Sequence, residues 1–397
     1  MSEFADLSDL ADASGLAAFG WDAHFADAFA LYDTEYGTDC APDPDPDPDT
    51  DPDPDTDAGR SLVPARVVRV DRGQCDAVTA RGTVRADTSA VATPDPLRTI
   101  CTGDWAVLGT GPGGQFEVRA LLPRRTAFVR STSSKRTEGQ VLAANVDHAL
   151  IAVSLAVELD LGRVERFVSL AWSSGAQPLL VLTKADLVPD PDTLAQLVAD
   201  TEVSAPGVQV LAASSATGEG IDVLSAVVSG GTTVLLGQSG AGKSTLANAL
   251  LGEDLQEVQQ TRGRDGKGRH TTTARDLLPL PGGGVLIDTP GLRGVGLWDA
   301  DEGVGQAFSE IEALAEECRF HDCAHESEPG CAVLAAIDEG TLPQRRLDSY
   351  RKLLRENARL AARTDARLRA QQKQMLKQRQ PLLRHMIERK RGPGYKG

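Results

Sequence analysis

Long apolar runs are missing from this chain of 397 residues. None reaches the roughly 18 to 20 residues that a helix needs to cross a bilayer, so no membrane span and no membrane partner is expected. The start, Met1 to Asp6, is acidic and lacks the basic opening of a secretory signal, which makes cytoplasm the expected compartment. Cysteine is scarce. Six are present, too few and too unevenly placed for a disulfide framework, and three of them crowd between 318 and 331. A net excess of base is also missing. The formal charge is −16, which as an average argues against nucleic acid as a partner.

The distribution of that charge points the other way. Acid gathers in the first sixty residues, where Asp43 to Asp57 alternates with Pro and Thr, while base gathers from Arg345 onward. Residues 39–59 have fixed φ, missing amide donors and like-charge repulsion, so they read as a stiff, solvated spacer. A competing reading is that this stretch mimics nucleic-acid charge and shields the basic tail. Ahead of it, Ala11 to Tyr32 carries apolar residues at helical spacing and predicts a short helical segment.

The remaining composition is that of a soluble globular protein, 41% apolar and 25% charged, and the length suggests two or three domains. From Ser61 to Leu122 short β-like runs alternate with turn signals: Val63–Val70, Ala77–Val84, Asp104–Leu108 and Gln115–Leu121. They predict a small barrel, and an OB-type barrel fits the length. From Val141 to Val295 apolar strand candidates (His148–Leu155, Pro178–Thr183, Val208–Ala213, Thr232–Gly237, Gly284–Asp288) alternate with amphipathic stretches at Gly162–Trp172, Pro191–Ala199 and Lys243–Leu251. That alternation implies a mostly parallel sheet covered on both faces. Beyond residue 300 strands give way to a Cys/His cluster and a basic helix predicted from Pro343 to about Gln380. The expected division is an extension over 1–60, a barrel over 61–128, an α/β domain over 129–300 and a helical domain over 301–397.

The phosphate loop Gly237-Gln238-Ser239-Gly240-Ala241-Gly242-Lys243-Ser244 carries the strongest signal. Gly237 and Gly242 permit the backbone approach that lets successive amides face phosphate oxygens. Lys243 supplies a cation for the β and γ phosphates, and the Ser244 hydroxyl suits Mg²⁺. Asp288 ends a strand candidate and can hold Mg²⁺ through water, while the Gly291 amide can sense the γ-phosphate. Thr183-Lys184-Ala185-Asp186 distinguishes guanine from adenine, because Asp186 can accept two hydrogen bonds that adenine cannot donate. Lys184 can lay its stem along the base, and Ser215-Ala216 can present an amide to the guanine oxygen. The usual first residue of this motif is Asn, and here it is Thr183.

Between the phosphate loop and Asp288, Gly263–Thr273 is glycine-rich and basic and suits a switch loop. Thr271 or Thr272 would contribute the Mg²⁺-sensing hydroxyl. Leu292 stands where a water-orienting Gln is common, which leaves His270 as the nearest group to activate water, set against an exposed or RNA-facing role. Cys318, Cys323, His325 and Cys331 form C-x4-C-x-H-x5-C, a closed donor set for one structural Zn²⁺, with His321 as a spare ligand. Arg351, Arg355, Arg359, Arg363 and Arg367 recur at four-residue steps and form a stripe suited to a phosphate backbone.

The order of these motifs is inverted. In an ordinary GTP-binding domain the phosphate loop leads and the base reader trails, whereas here Asp186 precedes Gly237. Over residues 61 to about 360 the chain resembles the circularly permuted, ribosome small-subunit-dependent GTPases of bacteria. The resemblance rests on motif order, the Gly-x-Ser-Gly-x-Gly-Lys-Ser form, the His-Thr-Thr segment and the cysteine spacing. It implies an OB barrel, a circularly permuted P-loop GTPase domain and a zinc-binding helical domain. It further implies a monomer that acts on the 30S subunit and its 16S rRNA late in maturation, with GTP hydrolysis stimulated by the subunit. Transferred by residue, Thr183, Lys184 and Asp186 read guanine, Gly237 to Thr245 hold phosphates and Mg²⁺, and the Cys/His set holds zinc. The rival readings are a nucleotide-gated RNA-binding module in which hydrolysis is incidental, and an ATPase. Because the sensor at Asp288–Gly291 runs straight into the zinc region, loss of γ-phosphate is expected to shift that region and the tail.

Overall fold

A strand buried on both faces sends alternate side chains into two different cores. Strand β9 (Gln177–Thr183) does this, with Leu179 and Val181 in one apolar cluster and Leu180 and Leu182 in another. The same alternation runs through β8 (His148–Ser154), β11 (Thr232–Gly237) and β13 (Val285–Asp288). A computed structural model describes residues 13–36, 62–111, 114–131, 139–252, 275–288 and 301–364. It arranges these strands with β10 (Gln209–Ala213) and β12 (Asp276–Pro279) in one sheet of order β10-β9-β8-β11-β13-β12. All pairs are parallel except β12 with β13.

Helices close both faces. Before them in the chain lies α1 (Ala23–Tyr36). On one face, α2 (Leu161–Ser173) buries Val164, Phe167, Val168 and Leu170, and α3 (Pro191–Ser204) packs partly against the same core. On the other, α4 (Ile221–Val228) and α5 (Lys243–Leu251) contribute Leu224, Val228, Leu246 and Leu250. Asp160 and Asp190 cap α2 and α3 by accepting the amides of Arg163 and Thr193, satisfying donors that a helix start leaves free.

Strands β1 (Val63–Asp71), β2 (Gln74–Thr79), β3 (Gly82–Asp87), β4 (Trp105–Thr110) and β5 (Phe116–Leu121) close into a barrel of order β1-β2-β3-β5-β4. Its β3–β5 pair is parallel and β4 returns to β1, the five-stranded OB-like arrangement. The run Ala77–Val84 is not one strand. It folds back at Ala80-Arg81 into the β2–β3 hairpin, so its two halves pair with each other. A second hairpin, β6 (Ala127–Ser131) with β7 (Gly139–Ala144), lies outside the strands expected from sequence; Phe128, Leu142 and Ala143 join the sheet core. At the N-terminus a 3₁₀ turn over Ala13–Phe19 precedes α1, and both pack on Trp105 of the barrel.

The C-terminal part holds α6 (Asp301–Ala307), α7 (Ser309–Glu316), α8 (Ala332–Asp338) and α9 (Gln344–Thr364), with no strand among the described residues beyond 300. It does not build a separate core. Val304, Phe308, Ile311, Val333 and Leu347 enter the same cluster as β9 and α2. Gly303 lets α6 touch α2, because a Cβ there would lie 2.3 Å from the Ser169 carbonyl oxygen.

Candidate nucleotide site and metal centre

Parallel strands deliver their carboxyl ends to one edge of a sheet, and ligands bind where the chain order reverses. Here the reversal lies between β8 and β11. Register places Ser154 opposite Thr183, Thr183 opposite Ala213, and Ala152 opposite Gly237. Lys184–Asp186, Ser215–Ala216 and Gln238–Gly242 each begin one or two residues past such an end, so three segments distant in sequence share one rim. Asp288 reaches the same edge on β13, which pairs with β11 up to Val234–Ile287.

The loop geometry follows from its glycines. Gly237 has φ +134 and a Cβ there would lie 2.5 Å from the Ala152 carbonyl oxygen. Gly242 has φ +82 and precedes α5 as its N-cap. The turn therefore aims amides of the loop and the first turn of a nine-residue helix at one point, an arrangement that attracts anions. The Lys243 ammonium donates to the Gly237 carbonyl oxygen at 2.8 Å and also to that of Gln238. Ser244 and Thr245 are exposed at the helix start.

The Thr183–Asp186 segment is bonded directly to this loop. Thr183 Oγ1 donates to the Ala241 carbonyl oxygen at 2.8 Å, and Lys184 Nζ to that of Gly240 at 3.0 Å. Thr183 thus ties the two motifs with its hydroxyl, in the place where Asn is usual. Lys184 adopts a left-handed backbone, φ 62, which turns the chain sharply and leaves Ala185 buried and Asp186 exposed at the rim. A cavity lined by Val153, Arg163, Phe167, Lys184, Gln238 and Ser239 lies between the loop and the start of α2.

One residue of this rim is not among those that the motifs single out. Ser214, fully buried, donates its hydroxyl to Asp186 Oδ1 at 2.5 Å and accepts the amides of Ala216 and Thr217, each at 3.2 Å. Motif spacing points instead to the neighbouring Ser215, because it precedes Ala216. The double serine is the available signal, and only the end of β10 at Ala213 decides which serine points inward. His270, Thr271, Thr272, Gly291 and Leu292 lie outside the described residues.

The four predicted metal ligands come together, with every donor atom within 4.8 Å of the others. Cys318 Sγ lies 3.8 Å from Cys331 Sγ, and His325 Nδ1 lies 3.6 Å and 3.4 Å from these two sulfurs. Ligands about 2.3 Å and 2.1 Å from a tetrahedral ion would be separated by about 3.8 Å for two sulfurs and about 3.6 Å for sulfur and nitrogen, so Cys318, His325 and Cys331 stand at separations that fit Zn²⁺, with Cys323 close enough to complete the set. Burial, followed by Arg351, pushes the His325 pKa down, which favours the neutral imidazole that a metal requires. Glu328, which no motif flags, organises this loop. Its carboxylate accepts the amides of Ala324, Glu326 and Ser327 at 3.0, 2.8 and 2.9 Å, and those bonds, that of Ser327 foremost, lower its pKa to about 2.

The arginine stripe is only partly free for a phosphate backbone. Arg351 is half-buried and donates to the His325 carbonyl oxygen, whereas Arg355 and Arg359 are exposed; the side chains of Arg363 and Arg367 lie outside the described set. The preceding pair is structural. Arg346, buried, donates to Glu165 Oε1 at 2.8 Å and to the carbonyl oxygens of Ser204 and Ala307, each at 2.9 Å; Arg345 also reaches Glu165, at 2.8 Å.

Residues 121–298 match the RsgA GTPase family. Over 379 residues the chain is 65% identical to the small ribosomal subunit biogenesis GTPase RsgA of Streptomyces coelicolor, with 96% of each chain covered. The protein of the same name from Opitutus terrae is 41% identical over 366 residues, with 88% of this chain and 92% of that one covered. Two solved structures share the fold. YjeQ from Thermotoga maritima aligns with TM-score 0.57 and 24% identity over 75% of this chain and 98% of its own. YloQ, described as a circularly permuted GTPase, aligns with TM-score 0.56 and 22% identity over 75% and 95%. Similar to its relatives along nearly all its length and sharing the fold of a circularly permuted GTPase, this chain belongs to the RsgA GTPase family and is a GTP hydrolase.

Proposed function

We propose that this GTPase binds the small ribosomal subunit, contacts its 16S rRNA and hydrolyses GTP late in subunit maturation, with the subunit accelerating hydrolysis. It works as a cytoplasmic monomer divided into an extension (1–60), a barrel (61–128), the GTPase domain (129–300) and a zinc-binding helical domain with a basic tail (301–397). The observation that carries the nucleotide reading is the pair of hydrogen bonds from Thr183 and Lys184 to the carbonyl oxygens of Ala241 and Gly240. They support a reading in which base and phosphates are held in one cleft. The ribosomal reading is supported by the names of the relatives.

In this reading Asp186, oriented by Ser214, accepts from the guanine edge, Lys184 covers the base and the Ser215-Ala216 turn presents a backbone amide to the guanine oxygen. The amides of Gln238 to Gly242 and the Lys243 ammonium, which has stronger acceptors in phosphate oxygens than in carbonyls, hold the phosphates. Ser244 and Asp288 hold Mg²⁺, with Thr245 beside them, and Thr271 or Thr272 completes the shell. Gly291 senses the γ-phosphate and His270 positions water. Cys318, Cys323, His325 and Cys331 bind one structural Zn²⁺.

The test is GTP turnover with and without isolated small subunits at stated salt. Slow turnover alone and acceleration by subunits is expected, because Leu292 offers no water-orienting amide. Full activity without ribosomes would overturn the proposal. His270→Ala separates hydrolysis from binding: subunit maturation fails if hydrolysis drives the cycle and survives if nucleotide only gates RNA binding.

A further inference from the structure

Arg66 is a charged side chain buried completely, on β1 of the barrel. Its guanidinium stacks on the Trp105 ring, 4.8 Å from the centroid. Nη2 donates to the Asn145 carbonyl oxygen at 3.2 Å and to Thr232 Oγ1 at 3.1 Å, while Nε has no acceptor among the described residues. Both acceptors are neutral. Asp147 and Asp104 act on it only across space, and burial lowers its pKa to about 10. Removing a cation from water without a bonded carboxylate is costly, and an apolar side chain of the same size would fill this space at less expense. What Arg66 adds is direction.

That direction leads to the nucleotide. Thr232 is the first residue of β11, and Gly237, the last, opens the phosphate loop. Asp147 clamps the same threonine: its carboxylate accepts the Thr232 amide at 2.7 Å, and its own amide donates to the Thr232 carbonyl oxygen at 2.8 Å. Asn145 returns the link to the barrel, with its side-chain amide donating to the Gly103 carbonyl oxygen at 3.0 Å. Barrel and phosphate-loop strand are therefore pinned at one point.

The N-terminal arm covers that point. A Cβ on Gly20 would lie 3.6 Å from Thr232 Oγ1 and 3.8 Å from Arg66 Nη1. Trp21 meets Trp105 edge-on at 4.8 Å, Asp22 pairs with Arg125 at 2.6 Å, and Arg125 lies over the Phe25 ring at 4.5 Å. The arm lies ahead of the family match, which begins at residue 121.

We infer that Arg66 is a positioning residue for the phosphate-loop strand, latched by residues 13–36, through which the barrel and the nucleotide site act on one another. Its ribosomal consequence rests on the proposed function; the link itself does not. Because coupling is reciprocal, GDP bound at the loop must tighten the barrel. Hydrogen exchange of the full chain, with and without GDP and Mg²⁺, reads this directly. In the unaltered protein GDP slows exchange of the amides of β1 and of the arm by about fivefold or more, and in Arg66→Met that effect disappears while GDP affinity stays within about threefold. No GDP effect in the unaltered protein, or an equal effect in Arg66→Met, overturns the inference. Should Arg66→Met fail to fold, Trp21→Ala uncovers the arginine without removing it: weaker GDP protection of β1 supports the latch and unchanged protection refutes it. Subunit-stimulated turnover falls about tenfold in Arg66→Met if barrel engagement is transmitted this way. If subunits stimulate neither protein, the functional proposal fails and the GDP experiment still decides the link.

Discussion

Replacing Thr183 by Val removes one hydroxyl and keeps a β-branched side chain suited to a strand end. The main loss is the 2.8 Å bond to the Ala241 carbonyl oxygen, inside a residue pair that is 5% and 3% exposed, together with a longer 3.3 Å contact to the Val153 carbonyl oxygen. A buried neutral hydrogen bond contributes about 1 kcal/mol, and stranding its acceptor raises the cost to about 1–2 kcal/mol. For a unit of this size that lowers the thermal midpoint by about 2–8 °C. To the extent that the nucleotide relies on a pre-fixed loop, the same energy appears as faster GDP release, at most about 5- to 30-fold at 1.4 kcal/mol per decade. Thr183→Ser keeps the hydroxyl and serves as control. The assays are scanning calorimetry and stopped-flow release of a fluorescent GDP analogue. A Val variant whose midpoint moves by less than about 1 °C and whose release rate changes by less than about twofold would show that the bond does not join the two motifs.

Two further outcomes follow from the C-terminal part. Arg346 also donates from Nε to Glu310 Oε1 at 2.7 Å, so Glu165→Gln leaves it one carboxylate and should cost about 1–3 kcal/mol in urea unfolding, whereas Glu165→Gln together with Glu310→Gln strands the buried cation and should cost about 3–5 kcal/mol; a double change costing under about 1 kcal/mol would mean that the ion pairs are already hydrated. Glu328→Gln keeps the shape of the zinc loop but weakens its three amide bonds, so competition with a chromogenic chelator should show zinc affinity about 10- to 100-fold lower. Unchanged affinity would mean that other contacts order the loop.

Much of the fold is legible where apolar period and turn chemistry agree. Thr232–Gly237 and Lys243–Leu251 emerge with the expected limits, because glycines mark their ends and the apolar residues between them keep strand or helix spacing. The Ala77–Val84 run misleads because its turn at Ala80-Arg81 carries no Gly, Asn or Pro; the backbone reversal is taken up by Gly82, φ +125, one residue later. Hairpin β6–β7 escapes notice because Arg130, Ser131, Gly139 and Gln140 cut its five- and six-residue strands down to short apolar pieces. At the site, motif residues are readable from chemistry, since phosphate and guanine demand particular groups at particular spacings. Ser214 and Glu328 are not, since a residue that orients another is defined by distances that no spacing encodes. Arg346 and Arg351 count, in the sequence, as base available to RNA. A count of charges cannot distinguish a solvated guanidinium from one already engaged by Glu165 or by the zinc loop.

The helical part shares its apolar interior with the sheet through Phe308, Ile311 and Val333, and α6 touches α2 at Gly303. It therefore cannot swing outward on a hinge without wetting the centre of the molecule. A response of the Cys/His loop that passes through the described residues is therefore a small pivot carried by α2, whose opening turn borders the Gln238–Ala241 loop.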